Sequence, residues 1–270
     1  MHERERHSII VGALQTRAVA TVGDIVEMTG ASEATIRRDL SVLALQGRLR
    51  KVRGGAESIH PTAVGSLLVR PVALSETINI AQKRAIAIEA AGLCADGDAI
   101  IINGGTTTFQ MVHPLQRLRL QVLTNSFSIA DHLLRHSKCD VFLPSGAVYR
   151  QQNIILSPFE DDGISHFRAR RMFMGAQGVS HLGIMEGDPL IIQSEQRLMR
   201  QADELVLLID SSKFTTQSSM ILAPLERAAT IITDDQISDA ARTMVENIGL
   251  QLVIADTKMV GTRNPSASVA

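Results

Sequence analysis

The stretch SEATIRRDL, Ser32 to Leu40, constrains this chain more than any other of its length. Ser32 suits a helix N-cap, because its hydroxyl accepts from the free amides of a first turn. Ile36, Leu40 and Leu43 then recur at i, i+4 and i+7, which draws one apolar stripe along a helix. Arg37, Arg38 and Ser41 point away from that stripe, and Glu33, Ala34 and Thr35 occupy the exposed N-terminal turn. A helix that buries one side and presents two arginines near its N-terminus has the layout of a major-groove recognition helix. A solvated arginine face is the plain alternative, and the flanks decide against it.

Upstream, TVGDIVEMTG reads as a shorter helix, with Thr21 as N-cap, Asp24 as its capping-box partner and Ile25 and Val26 buried. Gly30 ends it in the tight turn that helix-turn-helix motifs use. Before it, ERERHSIIVGALQTR sets Ile9, Ile10, Ala13 and Leu14 on one face of a first helix. Downstream, GRLRKVRGGA alternates Leu49 and Val52 with Arg48, Arg50, Lys51 and Arg53, then turns at Gly54-Gly55. That predicts a small β-wing whose cations meet phosphates flanking the bases. Three helices and a basic wing make a winged helix-turn-helix, and its partner is a double-stranded DNA operator.

At 270 residues and 45% hydrophobic content, the chain has material for one large or two moderate domains with real cores. No run reaches the ~18 apolar residues that span a bilayer, and the N-terminus is charged, so the expectation is a cytoplasmic protein with no membrane partner. Charge is uneven: residues 1–55 hold nine Lys/Arg against six Asp/Glu, and residues 56–270 hold 18 against 22. A basic head on an acidic body fits a DNA reader fused to something that does not touch DNA. Cys94 and Cys139 are distant, without CxxC spacing, and read as reduced core residues. His113, His132, His136, His166 and His181 read as scattered surface residues without metal-ligand spacing, so no metal or cofactor is expected.

The predicted domains are a head at 1–58, a proline-containing linker at 59–75, a body at 76–260 and a frayed tail at 261–270. From Thr77 an alanine-rich helix is expected through Cys94, turned by Asp96-Gly97-Asp98. Short apolar runs then alternate with helical patterns: 99–102, 122–124, 141–143, 172–174, 205–209, 230–233 and 252–255. Near-continuous β-branched runs between helices predict a mostly parallel sheet covered on both faces, hence an α/β body.

Ligands of such sheets bind at the carboxyl ends of the strands. After the first run, Asn103, Gly104, Gly105, Thr106, Thr107 and Thr108 offer two glycines for close backbone approach, three hydroxyls and a helix start, the makings of a phosphate cradle. It is not a Walker A loop, since no GK[ST] follows. Thr124, Asn125 and Ser126 follow the second run. Ser145, Gly146, Tyr149 and Arg150 follow the third, Arg150 suiting either an anion clamp or a surface ion pair. Gly175, Gln177 and Gly178 follow the fourth, and Asp210-Ser211-Ser212-Lys213 brings Lys213 after the fifth.

The run SEATIRRDLSVLALQGRLRKVRGGA resembles the N-terminal domain of the DeoR-type bacterial transcriptional regulators, and further motifs extend the likeness to about Lys213. These are the GGTTT loop, the TNS turn, the GAxG turn and the DSSKF stretch. The resemblance implies a repressor whose body senses a phosphorylated sugar or sugar derivative on a fold similar to ribose-5-phosphate isomerase. Asn103 stands where that family frequently has aspartate, and Gln177 where its GADG turn has one. Two amides in place of carboxylates argue against retained acid–base chemistry, and suit a more acidic effector, such as a sugar-acid phosphate. The stretch GIMEGDPLIIQSEQRLMRQADELV resembles the branch that includes ascorbate-utilisation regulators. The rival reading is a sugar-phosphate isomerase with a DNA-binding appendage, against which stands the lack of a nucleophile–base pair at the cradle. Because one winged head touches few base pairs, self-association to a dimer or tetramer is expected as well.

Overall fold

A computed structural model of the chain describes residues 2–16, 19–52, 54–57, 78–150, 152–159 and 162–258. The predicted linker, the tail and Arg53 lie outside these residues. The chain divides into two compact units, Met1–Ser66 and Leu67–Ala270.

The first unit runs α1 (Glu3–Thr16), β1 (Val19–Thr21), α2 (Val22–Thr29), α3 (Glu33–Leu45), β2 (Arg50–Val52) and β3 (Gly55–Glu57). Thr21 and Asp24 form the reciprocal capping box, with Asp24 N donating to Thr21 Oγ1 at 3.1 Å and Thr21 N to Asp24 Oδ2 at 3.0 Å. Gly30 closes α2 at φ 64°, in the left-handed region where glycine has no Cβ penalty. Ile10, Leu14, Ile25, Ile36, Leu40, Leu43 and Leu49 form the core, each burial worth roughly 1.5–3 kcal/mol. Val26, Ile9 and Ala13 were expected on buried faces but are half-buried, at the margins of their stripes. The wing strands join β1 in the order β1-β3-β2, all antiparallel. A Cβ on Gly55 would lie 2.1 Å from the Ala20 carbonyl oxygen, so that crossing admits only glycine.

One polar group interrupts the α3 stripe. Asp39 is buried, and accepts from Arg6 Nε at 2.7 Å and pairs with His7 Nε2 at 3.1 Å, which ties α3 to α1. Burial pushes the Asp39 carboxyl up, but the hydrogen bonds from Arg6 and His7 outweigh it and hold the group below its ordinary value.

The second unit opens with α4 (Ile80–Ala91). This helix starts later than the sequence suggests: Asn79 sits at φ 54° and lends no side-chain cap, because its amide donates to Asp210 Oδ1 at 3.0 Å. Next come β4 (Ala99–Ile102), α5 (Thr106–Phe109), β5 (Gln121–Thr124), α6 (Phe127–His136) and β6 (Asp140–Phe142). A hairpin follows, of β7 (Ala147–Tyr149) and β8 (Ile154–Leu156). Then come β9 (Ala169–Met174), β10 (Gly178–Ser180), β11 (Gly183–Glu186), α7 (Pro189–Met199), β12 (Ala202–Leu208), β13 (Met220–Ala223), β14 (Thr230–Asp234), α8 (Asp239–Ile248) and β15 (Gln251–Ala255).

All seven predicted runs are strands of one seven-stranded sheet, ordered β15-β14-β12-β9-β4-β5-β6, with every pairing parallel. Consecutive residues of β4 face opposite layers. Ile100 and Ile102 pack with Ile86, Ile129 and Phe173 on one side, and Ile101 with Met172, Leu198 and Val245 on the other. The β7–β8 hairpin and a three-stranded antiparallel sheet, β10-β11-β13, were not expected. Their strands span three or four residues, too short for alternation to register.

Both cysteines are free, as expected, and burial pushes the Cys94 thiol up to about 12. Three of the histidines are not scattered. His113, His132 and His136 line up beside Phe109, His113 and His132 edge to face with ring centroids 5.1 Å apart and His132 and His136 tilted at 4.6 Å. His132 and His136 are one helical turn apart on α6, a spacing visible in the sequence. Among the described residues no cluster has the geometry of a metal site.

Candidate functional sites: an arginine-bearing helix and a sheet-edge crevice

In the first unit, α3 presents the expected face. Ser32 Oγ accepts from Thr35 N at 3.3 Å and lies 2.9 Å from Thr35 Oγ1, fixing the start of the helix. Glu33, Ala34, Arg37 and Arg38 are exposed along its outer side. Arg37 pairs with Glu33 across one turn at 3.2 Å. Ser41 Oγ donates to the Arg37 carbonyl and accepts from Lys51 Nζ, each at 2.9 Å. The Lys51 bond fastens the wing to the outer side of α3, so wing cation and helix arginines share one surface. Arg50 pairs with Glu57 across the hairpin.

In the second unit, the sheet order reverses between β4 and β9. From β4 the chain steps outward through β5 and β6, and from β9 it steps the other way through β12, β14 and β15. The carboxyl ends of β4 and β9 therefore flank a topological switch point, where open α/β sheets bind ligands. Asn103 and Gly175 are the residues that leave those two strands.

The loop after β4 is held from two sides. Asn103 N donates to the Phe173 carbonyl of β9 at 2.9 Å, and Gly104 N donates to Asn125 Oδ1 at 2.8 Å. A Cβ on Gly104 would meet Ile154 Cγ2 at 2.4 Å, so the glycine admits the hairpin. Gly105 is extended, at φ 176°, and caps α5 with no side chain. Thr107 and Thr108 are buried, and Thr108 Oγ1 donates back to the Gly105 carbonyl at 3.0 Å. Of the three hydroxyls only Thr106 is half-exposed.

Thr124, Asn125 and Ser126 are all buried. Thr124 Oγ1 accepts from Ser126 N at 3.1 Å, and Ser126 Oγ caps α6 through Ile129 N at 3.3 Å. Asn125 accepts with Oδ1 from Gly104, which orients the amide; its Nδ2 is buried without a partner among the described residues. Gly146 and Arg150 belong to the β7–β8 hairpin. A Cβ on Gly146 would lie 2.4 Å from the Leu156 carbonyl oxygen, and Arg150 is exposed just past β7. Gly178 begins β10, where a Cβ would sit 2.1 Å from the Thr216 carbonyl oxygen.

Two carboxyls stand at this crevice that sequence reasoning missed. Asn103 Nδ2 donates to Glu195 Oε1, and Gln177 Nε2 donates to Glu186 Oε1, each at 2.6 Å. Both glutamates are buried. The two amides that stand in place of aspartates thus each hold a carboxyl from elsewhere in the chain. The supposed absence of carboxylates here was wrong, and it no longer counts against acid–base chemistry. A signal existed: Glu195 lies between Ile191 and Leu198 at i+4 and i+7, on the apolar stripe of α7.

Burial pushes Glu195 well above the ordinary carboxyl value; the nearby Glu186 adds to this, against the Asn103 hydrogen bond. Burial likewise pushes Glu186 up to about 7, opposed by the backbone amides of Gly187 and Asp188 and by the charge of Lys213. Lys213 thereby reaches the same crevice.

A stability prediction follows from Glu186. Its folded pKa lies above its ordinary 4.5, so the folded state holds the proton longer than the unfolded one. The stabilisation present below about pH 4.5 is therefore lost as pH rises through about 7, by up to about 3 kcal/mol. Glu186→Gln keeps an acceptor for Gln177 and does not titrate. Denaturant unfolding should show the variant gaining on wild type across that window; a gap of constant size from pH 4.5 to 8 would refute the assignment.

A three-helix winged head and a parallel-sheet body with loops gathered at its switch point define a two-unit DNA-binding regulator. Residues 6–62 match the DeoR-like helix-turn-helix domain and residues 78–235 the DeoR C terminal sensor domain, so the chain belongs to the DeoR family of transcriptional regulators. It is 29% identical over 253 residues to the HTH-type transcriptional regulator UlaR of Salmonella newport (strain SL254), covering 94% of this chain and 99% of that one. UlaR of Salmonella agona (strain SL483) matches to the same extent. Among solved structures, ribose 5-phosphate isomerase A from Methanocaldococcus jannaschii aligns with TM-score 0.36 and 20% identity, over 49% of this chain and 53% of that chain. That likeness is too slight to bear on function. Among the described residues no helix is long and apolar enough to cross a membrane.

Proposed function

We propose that this regulator is a cytoplasmic repressor of a carbohydrate or polyol catabolic operon, released when a phosphorylated sugar or sugar-acid effector binds the β4–β9 crevice. The observation that carries the effector site is the buried Asn125 amide beside Gly104. Its oxygen is fixed by the loop, and its nitrogen is a donor with no acceptor among the described residues. A buried donor left unmade costs about 1–3 kcal/mol, and a phosphate oxygen at the Gly104–Thr106 loop would satisfy it. Gly105, Thr106 and Lys213 would complete the cradle, with Thr107, Thr108, Thr124 and Ser126 as its framework. Gly146 and Arg150 would act from the hairpin, and Gly175, Gln177 and Gly178 from the facing loop.

On the head, Ser32, Glu33, Ala34, Thr35, Arg37, Arg38 and Ser41 would enter the major groove, while Arg50, Lys51 and Arg53 would hold phosphates. A pair of such heads on one DNA face requires at least a dimer. The function is tested by operator titration with and without phosphorylated sugars and sugar acids, with turnover of the same compounds assayed in parallel. Release without turnover supports a sensor. Turnover would favour the isomerase reading, which the two buried carboxyls keep in contention.

A further inference from the structure

Beyond the phosphate, the crevice holds a second polar arrangement with a different chemistry. Glu195 accepts with Oε1 from Asn103 at 2.6 Å, while its Oε2 is buried and has no hydrogen-bond partner among the described residues. Glu186 accepts with Oε1 from both Gln177 at 2.6 Å and Gly187 N at 2.7 Å. These four side chains come from four places: the end of β4, the loop after β9, the end of β11 and the middle of α7. Asn103 is chain neighbour to Gly104, so Glu195 is one residue removed from the proposed cradle.

We infer that the Asn103–Glu195 and Gln177–Glu186 pairs read the carbon chain of the effector, and that they select a neutral, hydroxyl-bearing chain over one that carries a carboxylate. This rests on the phosphate occupying the Gly104–Thr106 loop. The reasoning is one of matching. Asn103 uses one Glu195 oxygen and leaves the other, and a hydroxyl, which both donates and accepts, completes it in either protonation state. A ligand carboxylate can only accept. It would also bring a further negative group beside Glu186, in a crevice that already has to hold a phosphate, and like charges in a buried site repel strongly. The amides at 103 and 177 do not relieve this, because each is already bonded to a carboxyl. Burial holds the proton on Glu195, so either ligand could accept from it; what disfavours the carboxylate is its charge beside Glu186 and the phosphate.

The experiment uses the full chain and a matched series from triose to hexose, each as polyol phosphate and as aldonic acid phosphate, with inorganic phosphate as the common probe. Binding is read by thermal shift and calorimetry. Wild type should prefer some polyol phosphate to its aldonic counterpart by at least about tenfold. Glu195→Leu should lose about tenfold for that polyol phosphate and keep its affinity for inorganic phosphate. Glu195→Gln, which mimics the protonated carboxyl, should restore polyol binding to within about threefold. Glu186→Gln should raise affinity for the aldonic phosphate by about fivefold or more, and decides the matter alone if the leucine variant fails to fold.

Equal binding of the two ligand classes by wild type overturns the inference, as does a failure of the whole series to bind, or a Glu195→Leu protein with unchanged polyol affinity. Inorganic phosphate separates this from the cradle itself. If it protects Gly105→Asp as well as wild type, the cradle is misplaced, while the polyol preference still decides the carbon-chain reading.

Discussion

Gly105→Asp is expected to bind operator as wild type does and to be deaf to the effector. The backbone permits the change: Gly105 is extended at φ 176° and ψ 160°, and an added Cβ meets only Thr108 Oγ1, at 3.1 Å. A small rotation of that hydroxyl makes room. The new carboxylate would stand where the phosphate is proposed to sit. Two unit charges ~4 Å apart at an effective dielectric of ~20 repel by about 4 kcal/mol, close to a thousandfold in affinity. At effector concentrations that saturate wild type, a loss of that size leaves the site nearly empty, so the coupling, typically ~5–150-fold, is not engaged. Gly104→Asp would be a poor substitute, because its Cβ collides with Ile154 at 2.4 Å and a lost response could be lost structure. Lys213→Ala should give a milder defect, removing one cation from the crevice. Should Gly105→Asp release operator at the wild-type effector concentration, the phosphate binds elsewhere.

Arg38→Ala and Arg37→Ala should each weaken specific operator binding by ~1–3 kcal/mol per head if the arginine reads a guanine. A dimer carries each change twice, so the pair of heads should lose the most of any single substitution on this face. The Arg37–Glu33 pair does not alter the ranking. Both side chains are exposed, and such a helix pair is worth only ~0.3–0.5 kcal/mol, well below the loss of a bidentate base contact. Lys51→Ala should act differently, weakening all sequences about equally and flattening the salt dependence. Fluorescence anisotropy on specific and scrambled DNA over a salt series separates the two patterns. Wild-type specific affinity in all three variants would remove α3 and the wing from the interface.

Where the sequence was informative, a strong local rule had no competitor. Thr21 and Asp24 stand three apart before an apolar run, Ile36, Leu40 and Leu43 keep helical spacing, and seven β-branched runs recur between helices. Each became the expected element, with ends displaced by a few residues at most. What escaped notice was long-range. Glu195 and Asp39 sit on buried stripes because Asn103 and Arg6 reach them from 92 and 33 residues away. Taken singly, an acid on a helix reads as solvated. Asn79 gives its amide to Asp210, 131 residues on, and so does not cap its own helix. The three-threonine run suggests a cradle by its hydroxyls, but nothing local shows that Thr107 and Thr108 turn inward.

The order of the sheet has a consequence for how this body opens. Strands β4, β5 and β6 come from residues 99–142, and β9, β12, β14 and β15 from residues 169–255, so each side of the β4–β9 seam is a contiguous piece of chain. Among the described residues that seam is the one strand pairing between the two pieces. Such pieces are natural units of partial unfolding, and amide hydrogen exchange reports their separation. A molecule bound at the end of the seam touches both, so its binding free energy adds to the work of parting them. Slowed exchange would then reach Ile100–Ile102 and Met172–Met174 together, along both strands of the seam.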